Sequence, residues 1–368
     1  MPAVFCAPLR YTQGPDATLL LGREIKGLGL AGPVLIVSSA SPRRLLGPAW
    51  STSLGEASIP FRVHDFAGEC TDAEVARIAA TARETGSVVI LGAGGGKVLD
   101  AARAAACDLD LAFVSCPTVA STDAPCSAVS VIYDDAGVFL RARILPRNPE
   151  LVLVDTRVIM QAPVRTLVAG MGDALSTMFE AKACVRAGKP NFRGGSCTRT
   201  ALAMAELCHQ TLMTDGVEAL ADAKAGRLTP ALEHVIEANT LLSGLGFESA
   251  GLAAAHGVHN GLTAAPGTHD FMHGEKVAFG VLAQLMLERA DDATLEQVLR
   301  FCTAVGLPVT LAQIGCRDLS KESLAKVAAR ATAPGEVTHN MPFEVTPTMV
   351  EAAILAADAR GRKFLERR

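Results

Sequence analysis

Short β-branched runs and segments of helical periodicity alternate over the first 160 residues. The apolar runs "VLIVS" (34–38), "FRVHDF" (61–66), "VVILG" (88–92), "LAFVS" (111–115) and "LVLVD" (151–155) predict strands. Between them, "TDAEVARIAATARETG" (71–86) and "KVLDAARAAA" (97–106) repeat apolar positions at helical spacing. Thr71 or Asp72 is placed to cap the first of these helices, with Glu74 positioned for a capping box. Strand and helix in alternation predict a parallel α/β layer. "VSVIY" and "VFLRARIL" flank the turn "DDAG" (134–137) and predict an antiparallel excursion. After Pro163 the pattern changes, because Ala, Leu, Met and Glu dominate 198–214, 230–243 and 280–290. The expected architecture is an α/β domain over 1–162 and an all-α domain over 163–368, with a ligand cleft between them.

A chain of 368 residues agrees with two domains. Hydrophobic residues make up 49% and charged residues 20%, a composition that excludes extended disorder. With 34 basic and 38 acidic residues the net charge is −4, too balanced to attract nucleic acid or an anionic membrane. The ten cysteines contain no C-x-x-C pair and read as reduced thiols of a cytoplasmic protein. No export signal is expected in "MPAVFCAPLRYTQG", and the longest uncharged run, 249–269, is too interrupted by glycine and histidine for a membrane span.

Candidate chemistry begins at "VVILGAGGGKVLDAARAAA" (88–106), where Gly92, Gly94, Gly95, Gly96 and Lys97 stand between a strand and a helix. A loop without Cβ atoms admits a phosphate to the backbone, and a helix N-terminus attracts the anion. A pyrophosphate is expected there; a turn serving only tight packing is the alternative. "GLGLAG" (27–32) matches G-x-G-x-x-G but precedes its strand, so it reads as a helix-to-strand loop. The next loop, "SCPTVASTDAPCSAVSVIY" (115–133), offers Thr118, Ser121, Thr122, Ser127, Ser130 and the carboxylate Asp123. At a strand's carboxyl end these would line the ligand crevice, although such residues also build ordinary turns.

"HGVHNGLTAAPGTHDFMHG" (256–274) gathers His256, His259, His269 and His273, half of the chain's eight histidines. One continuous helix would hold the outermost pair about 25 Å apart. "AAPG" (264–267) breaks it, so one histidine of 256/259 can meet one of 269/273. A catalytic metal commonly takes three protein ligands and keeps a position open. Asp173, in the glycine-flanked helix start "GMGDALSTMFEA" (170–181), is the candidate carboxylate, with Glu180 or Glu248 as substitutes.

"GGGKVLDAARA", "PTVASTDAPCSAVSVIYDDAG", "GMGDALSTMFEA", "FESAGLAAAHGVHNGLT" and "HGEKVAFG" together resemble the glycerol dehydrogenases of the metal-dependent polyol dehydrogenase family, from about residue 5 to the C-terminus. The resemblance implies a dehydroquinate-synthase-like fold and zinc on Asp173, His256 and His273, with His259 and His269 as neighbours of the ligands. It also implies cofactor contacts at Gly96, Lys97, Thr118, Ser121, Ser127, Val129 and Tyr133, beside the Gly94 and Gly95 expected from the loop itself, and a polyol contact at Asp123. One departure stands out: where the family carries an aspartate to hold the adenosine ribose, this chain has Ser39, followed by Arg43 and Arg44. NAD is the expected cofactor, and the two arginines make NADP the alternative.

The implied activity is zinc-dependent oxidation of glycerol at C2 to dihydroxyacetone, in a homo-oligomer up to an octamer. The rivals are a dehydrogenase of another vicinal diol such as 1,2-propanediol, a non-redox metal lyase of the dehydroquinate-synthase type, and a non-catalytic zinc or nucleotide-binding protein. Cysteine-rich ligation would favour the last, and no cysteine stands beside the histidine cluster.

Overall fold

A computed structural model describes residues 1–30, 32–135, 137–265 and 267–367. The chain divides into two compact units, one formed by Cys6–Pro163 with Gly226–Leu228, the other by Met1–Phe5, Val164–Ala225 and Thr229–Arg368.

In the first unit the elements run β1 (Tyr11–Gly14), α1 (Leu21–Gly27), β2 (Val34–Ser38), α2 (Ala40–Glu56), β3 (Phe61–Asp65), α3 (Asp72–Glu84), β4 (Val89–Gly94), α4 (Gly96–Asp108), β5 (Ala112–Pro117), β6 (Val129–Tyr133), β7 (Phe139–Ile144), β8 (Leu151–Asp155) and α5 (Thr156–Met160). Six strands form one sheet in the order β1-β8-β5-β4-β2-β3, every pairing parallel. The central runs are apolar throughout because both faces are covered. Val34 and Ile36 pack with Trp50 and Leu54, whereas Leu35 and Val37 pack with Ile78 and Ala101. The antiparallel pair β6–β7 stands apart from this sheet, and the expected turn between them includes Ala136, outside the described residues. The "GLGLAG" segment joins α1 to β2 as expected, its Ala31 also outside the described residues.

Thr71 caps α3, its Oγ1 accepting from Glu74 N at 3.1 Å. The capping box is not completed, because the Glu74 carboxylate is taken by Arg77 and by Ala67 N. Among the elements that escape the hydrophobic pattern are β1 and α2. Strand β1 is a four-residue edge strand, half-buried along its length. Helix α2 contains Pro48, yet Leu46, Trp50 and Leu54 recur every four residues and are buried on one stripe.

The second unit is helical: α6 (Val164–Ala187), α7 (Arg199–Lys224), α8 (Pro230–Glu237), α9 (Ser243–Ala250), α10 (Ala254–Leu262), α11 (His273–Leu287), α12 (Asp292–Val305), α13 (Lys321–Ala331) and α14 (Pro347–Leu365). A single π turn, Ala238–Leu242, joins α8 to α9. The first five residues belong here because Ala3 bridges to Ser196 and Ser196 N donates to Pro2 O at 2.9 Å. Among the described residues, no helix is long and apolar enough to cross a membrane. All ten cysteines are thiols.

Candidate metal centre and glycine-rich loop

Asp173 sits inside α6, two turns past its start, not at a helix start as the flanking glycines suggest. Gly172, with Gly274 across from it, serves packing. A Cβ on Gly172 would lie 2.3 Å from Gly274 O, and one on Gly274 would lie 1.8 Å from Ala169 O. Bare backbone at both places lets α6 and the first turn of α11 touch, and that contact delivers Asp173 to His273. Helix α10 ends at Leu262 before the break; Pro266 within "AAPG" lies outside the described residues.

Asp173 Oδ1 lies 3.1 Å from His273 Nε2 and 3.4 Å from His256 Nε2. One ligand atom from each of the three residues falls within 4.8 Å of the others. Asp173 and His256 are buried, while the His273 side chain is 35% exposed, which leaves solvent one approach to the cluster. Behind it, Glu180 Oε2 meets His256 Nδ1 at 2.7 Å, and Glu180 Oε1 accepts from Ala253 N and His256 N at 2.8 and 2.9 Å. Such a carboxylate fixes the Nδ1–H tautomer and turns the Nε2 lone pair inward. Two Nε2 atoms facing one buried carboxylate oxygen suit a cation at their centre, a metal ion or a proton.

A proton on the imidazoles competes for the same place. Burial would push the Asp173 carboxyl up, but the imidazoles of His273 and His256 hold it well below the usual range. Burial opposes a charge on His256, and Glu180 and Asp173 more than offset it, raising its pKa well above the ordinary value. His259 goes the other way: burial first, then His273 and Lys276, drive its pKa well down, so it is a neutral ring. Its centroid lies 4.2 Å from that of His273, whereas His269 is exposed and outside the ring contacts joining the other three. Of the two substitute carboxylates, Glu180 orients His256 and Glu248 lies buried 3.7 Å from Arg193. Glu180 follows Asp173 by two helical turns on the same face of α6, which the sequence shows, but its contact with His256 is legible only in the fold.

In the first unit, β4 runs into Gly95, which starts α4 with no side-chain cap, so the first N–H groups of α4 are not consumed by a cap. A Cβ added at Gly95 would lie 3.4 Å from Val119, and one at Gly96 would lie 3.5 Å from Thr122 Oγ1. The space beside the loop is therefore narrow and bounded by the second loop. Lys97 is exposed, pairs with Glu69 at 2.5 Å and lies 5.6 Å from the centre of the Tyr133 ring. Thr118 N donates to Gly94 O at 3.0 Å, tying the second loop to the first. Thr118, Ser127 and Val129 are buried; Ser121, Asp123 and Tyr133 are half-buried.

A feature that no sequence pattern signalled supports this loop from below. Buried Arg103 donates to Asp100 Oδ1 at 3.0 Å, to Val129 O, and to Ala124 O at 2.5 Å. Asp100 Oδ2 accepts from Val131 N at 3.0 Å. Burial outweighs Arg103 and pushes the Asp100 carboxyl up to about 6. At the end of β2, Ser39 makes no capping hydrogen bond, and Arg43 is not a free cation, because its Nη1 meets Asp65 Oδ1 at 2.5 Å.

The sequence profile of the iron-containing alcohol dehydrogenases matches residues 8–156. The glycerol dehydrogenase of Escherichia coli O6:H1 is 48% identical over 369 residues, spanning 100% of this chain and 99% of its own. The glycolaldehyde reductase of Halobacterium salinarum is 44% identical, spanning 100% of both. The crystal structure of glycerol dehydrogenase from Schizosaccharomyces pombe superposes with a TM-score of 0.95 at 35% identity, covering 99% of this chain and 92% of that one. With this architecture and near-complete coverage, the chain belongs to the glycerol dehydrogenases of the iron-containing, metal-dependent alcohol dehydrogenase family.

Proposed function

We propose that this protein oxidises glycerol at C2 to dihydroxyacetone with NAD as hydride acceptor and zinc on Asp173, His256 and His273. The observation that carries the reading is the convergence of two Nε2 atoms on Asp173 Oδ1, with Glu180 fixing one of them. Bound there, zinc supplies Lewis-acid stabilisation of developing negative charge, and the nicotinamide supplies the hydride acceptor. Asp173 contributes the anionic donor, His256 and His273 the neutral ones, and the partly open side at His273 leaves room for the diol. The N–H groups at Gly95, Gly96 and Lys97 receive the pyrophosphate. Thr118, Ser121, Ser127, Val129 and Tyr133 line the cofactor, and Asp123 accepts a hydrogen bond from a polyol hydroxyl. Asp173 is better as a ligand than as a base, since its Oδ1 already faces both imidazole Nε2 atoms.

Two-histidine, one-carboxylate sets also suit ferrous iron, which the family description names, so metal content measured with activity decides the ion. The resemblance to a glycolaldehyde reductase keeps a small hydroxycarbonyl as second substrate class. A homo-oligomer is part of the proposal, supported by exposed Phe139, Leu140 and Ile144 on β7. Chelator-treated protein is expected to lose glycerol oxidation and regain it with zinc; full turnover without metal overturns the proposal.

A further inference from the structure

The coenzyme's ribose meets an unusual strand end in this chain. In open parallel sheets the carboxylate that holds the adenosine ribose hydroxyls stands at the end of the strand beside the glycine-loop strand. Here that strand is β2, which pairs with β4 in the register Ser38 to Ala93, and Ser38 Oγ donates to Ala93 O at 2.9 Å. The position after Ser38 is a hydroxyl, Ser39, whose side chain caps nothing. One strand further out, β3 pairs with β2 in the register Ser38 to Asp65, about 4.8 Å away. Asp65 is thus a carboxylate at the same sheet edge, its side chain 70% exposed. It holds Arg43, in the first turns of α2, by the 2.5 Å contact between Nη1 and Oδ1.

Resting on the dehydrogenase reading above, we infer that Asp65 replaces the missing acid of β2 as the group that selects NAD over NADP. A 2′-phosphate at this edge is dianionic; it would face the Asp65 carboxylate and would have to take Arg43 from it. Without Asp65, Arg43 becomes a guanidinium with its donors available to a phosphate, alongside exposed Arg44. Selectivity is therefore stored in an ion pair between α2 and β3, and removal of the Asp65 charge weakens it.

The test compares wild type, Asp65→Asn, Arg43→Ala and the double variant as metal-loaded enzyme. The kcat/KM ratio for NAD over NADP is measured with glycerol, and calorimetry measures binding of 5′-AMP and of adenosine 2′,5′-bisphosphate without turnover. Wild type is expected to favour NAD. Asp65→Asn lowers the NAD/NADP ratio by on the order of tenfold or more and tightens the bisphosphate relative to AMP by a similar factor. Both gains vanish in the double variant. An unchanged ratio and unchanged relative affinity in Asp65→Asn, or a wild type that prefers NADP, overturns the inference. A wild type that discriminates the two nucleotides as expected but oxidises no polyol supports the assignment of Asp65 and overturns the functional reading instead.

Discussion

Glu180 stands one hydrogen bond behind the metal cluster, and its replacement by glutamine isolates orientation from packing. Truncation to alanine would strand Ala253 N and His256 N, both buried donors that Glu180 Oε1 now satisfies. At about 1–3 kcal/mol each, that loss of about 2–6 kcal/mol would confound any metal measurement with unfolding. Glutamine keeps the length and a carbonyl for those two donors. Its amide nitrogen then occupies the place of Oε2, 2.7 Å from His256 Nδ1, and must donate. Nδ1 becomes an acceptor, the ring proton moves to Nε2, and the atom facing Asp173 no longer offers a lone pair. Changes of this kind weaken metal affinity by about 10–100-fold, or roughly 1.4–2.7 kcal/mol. Zinc affinity of wild type and Glu180→Gln, read by competition with a chromophoric chelator and paired with circular dichroism of the metal-free forms, measures it. A folded variant that binds zinc as tightly as wild type refutes the orienting role.

Gly274→Ala places a methyl 1.8 Å from Ala169 O, forcing α6 and α11 apart; a destabilisation of about 1–3 kcal/mol or more is expected in urea titration, together with loss of zinc. Arg103→Met removes the donor held by Ala124 O, Val129 O and Asp100, and is expected to cost about 3–5 kcal/mol, with Asp100→Asn in the same chain recovering part of it in the same titration. His209, half-buried against Phe179 with an enclosed Nδ1 that has no partner among the described residues, has its pKa lowered to about 4, by burial first and then by Lys182. The folded value lies below the unfolded one, so this contribution to stability is whole above about pH 6.5 and fades as pH falls towards 4. Thermal unfolding across that range should show a shallower acid decline in His209→Gln; an identical slope contradicts the assignment.

The sheet was readable because its strands are buried on both faces and therefore written as unbroken β-branched runs. Strand β1 was not, since a half-buried edge of four residues carries too few apolar positions to stand out. Helix α2 hid behind prolines and glycines that local propensity counts against a helix, while tertiary burial of Leu46, Trp50 and Leu54 decided otherwise. At the metal centre, the histidine spacing reduced the choice to pairs, and only the resemblance to the family named His256 and His273. What spacing alone misses is contact between distant segments. Gly172 and Gly274 look like loop glycines until α6 and α11 are seen touching, and the supports Glu180, Arg103 and Asp65 act across 76, 26 and 22 residues of chain.

All three metal-site side chains belong to one unit of the molecule, and the glycine loop and the Asp65–Arg43 pair belong to the other. On the assignment of Asp65 inferred above, coenzyme preference and the choice of ion would be written in separate stretches of the gene. A lineage, or a laboratory, would then retune redox currency through residues near 40 and 65 while leaving the cation's cage untouched.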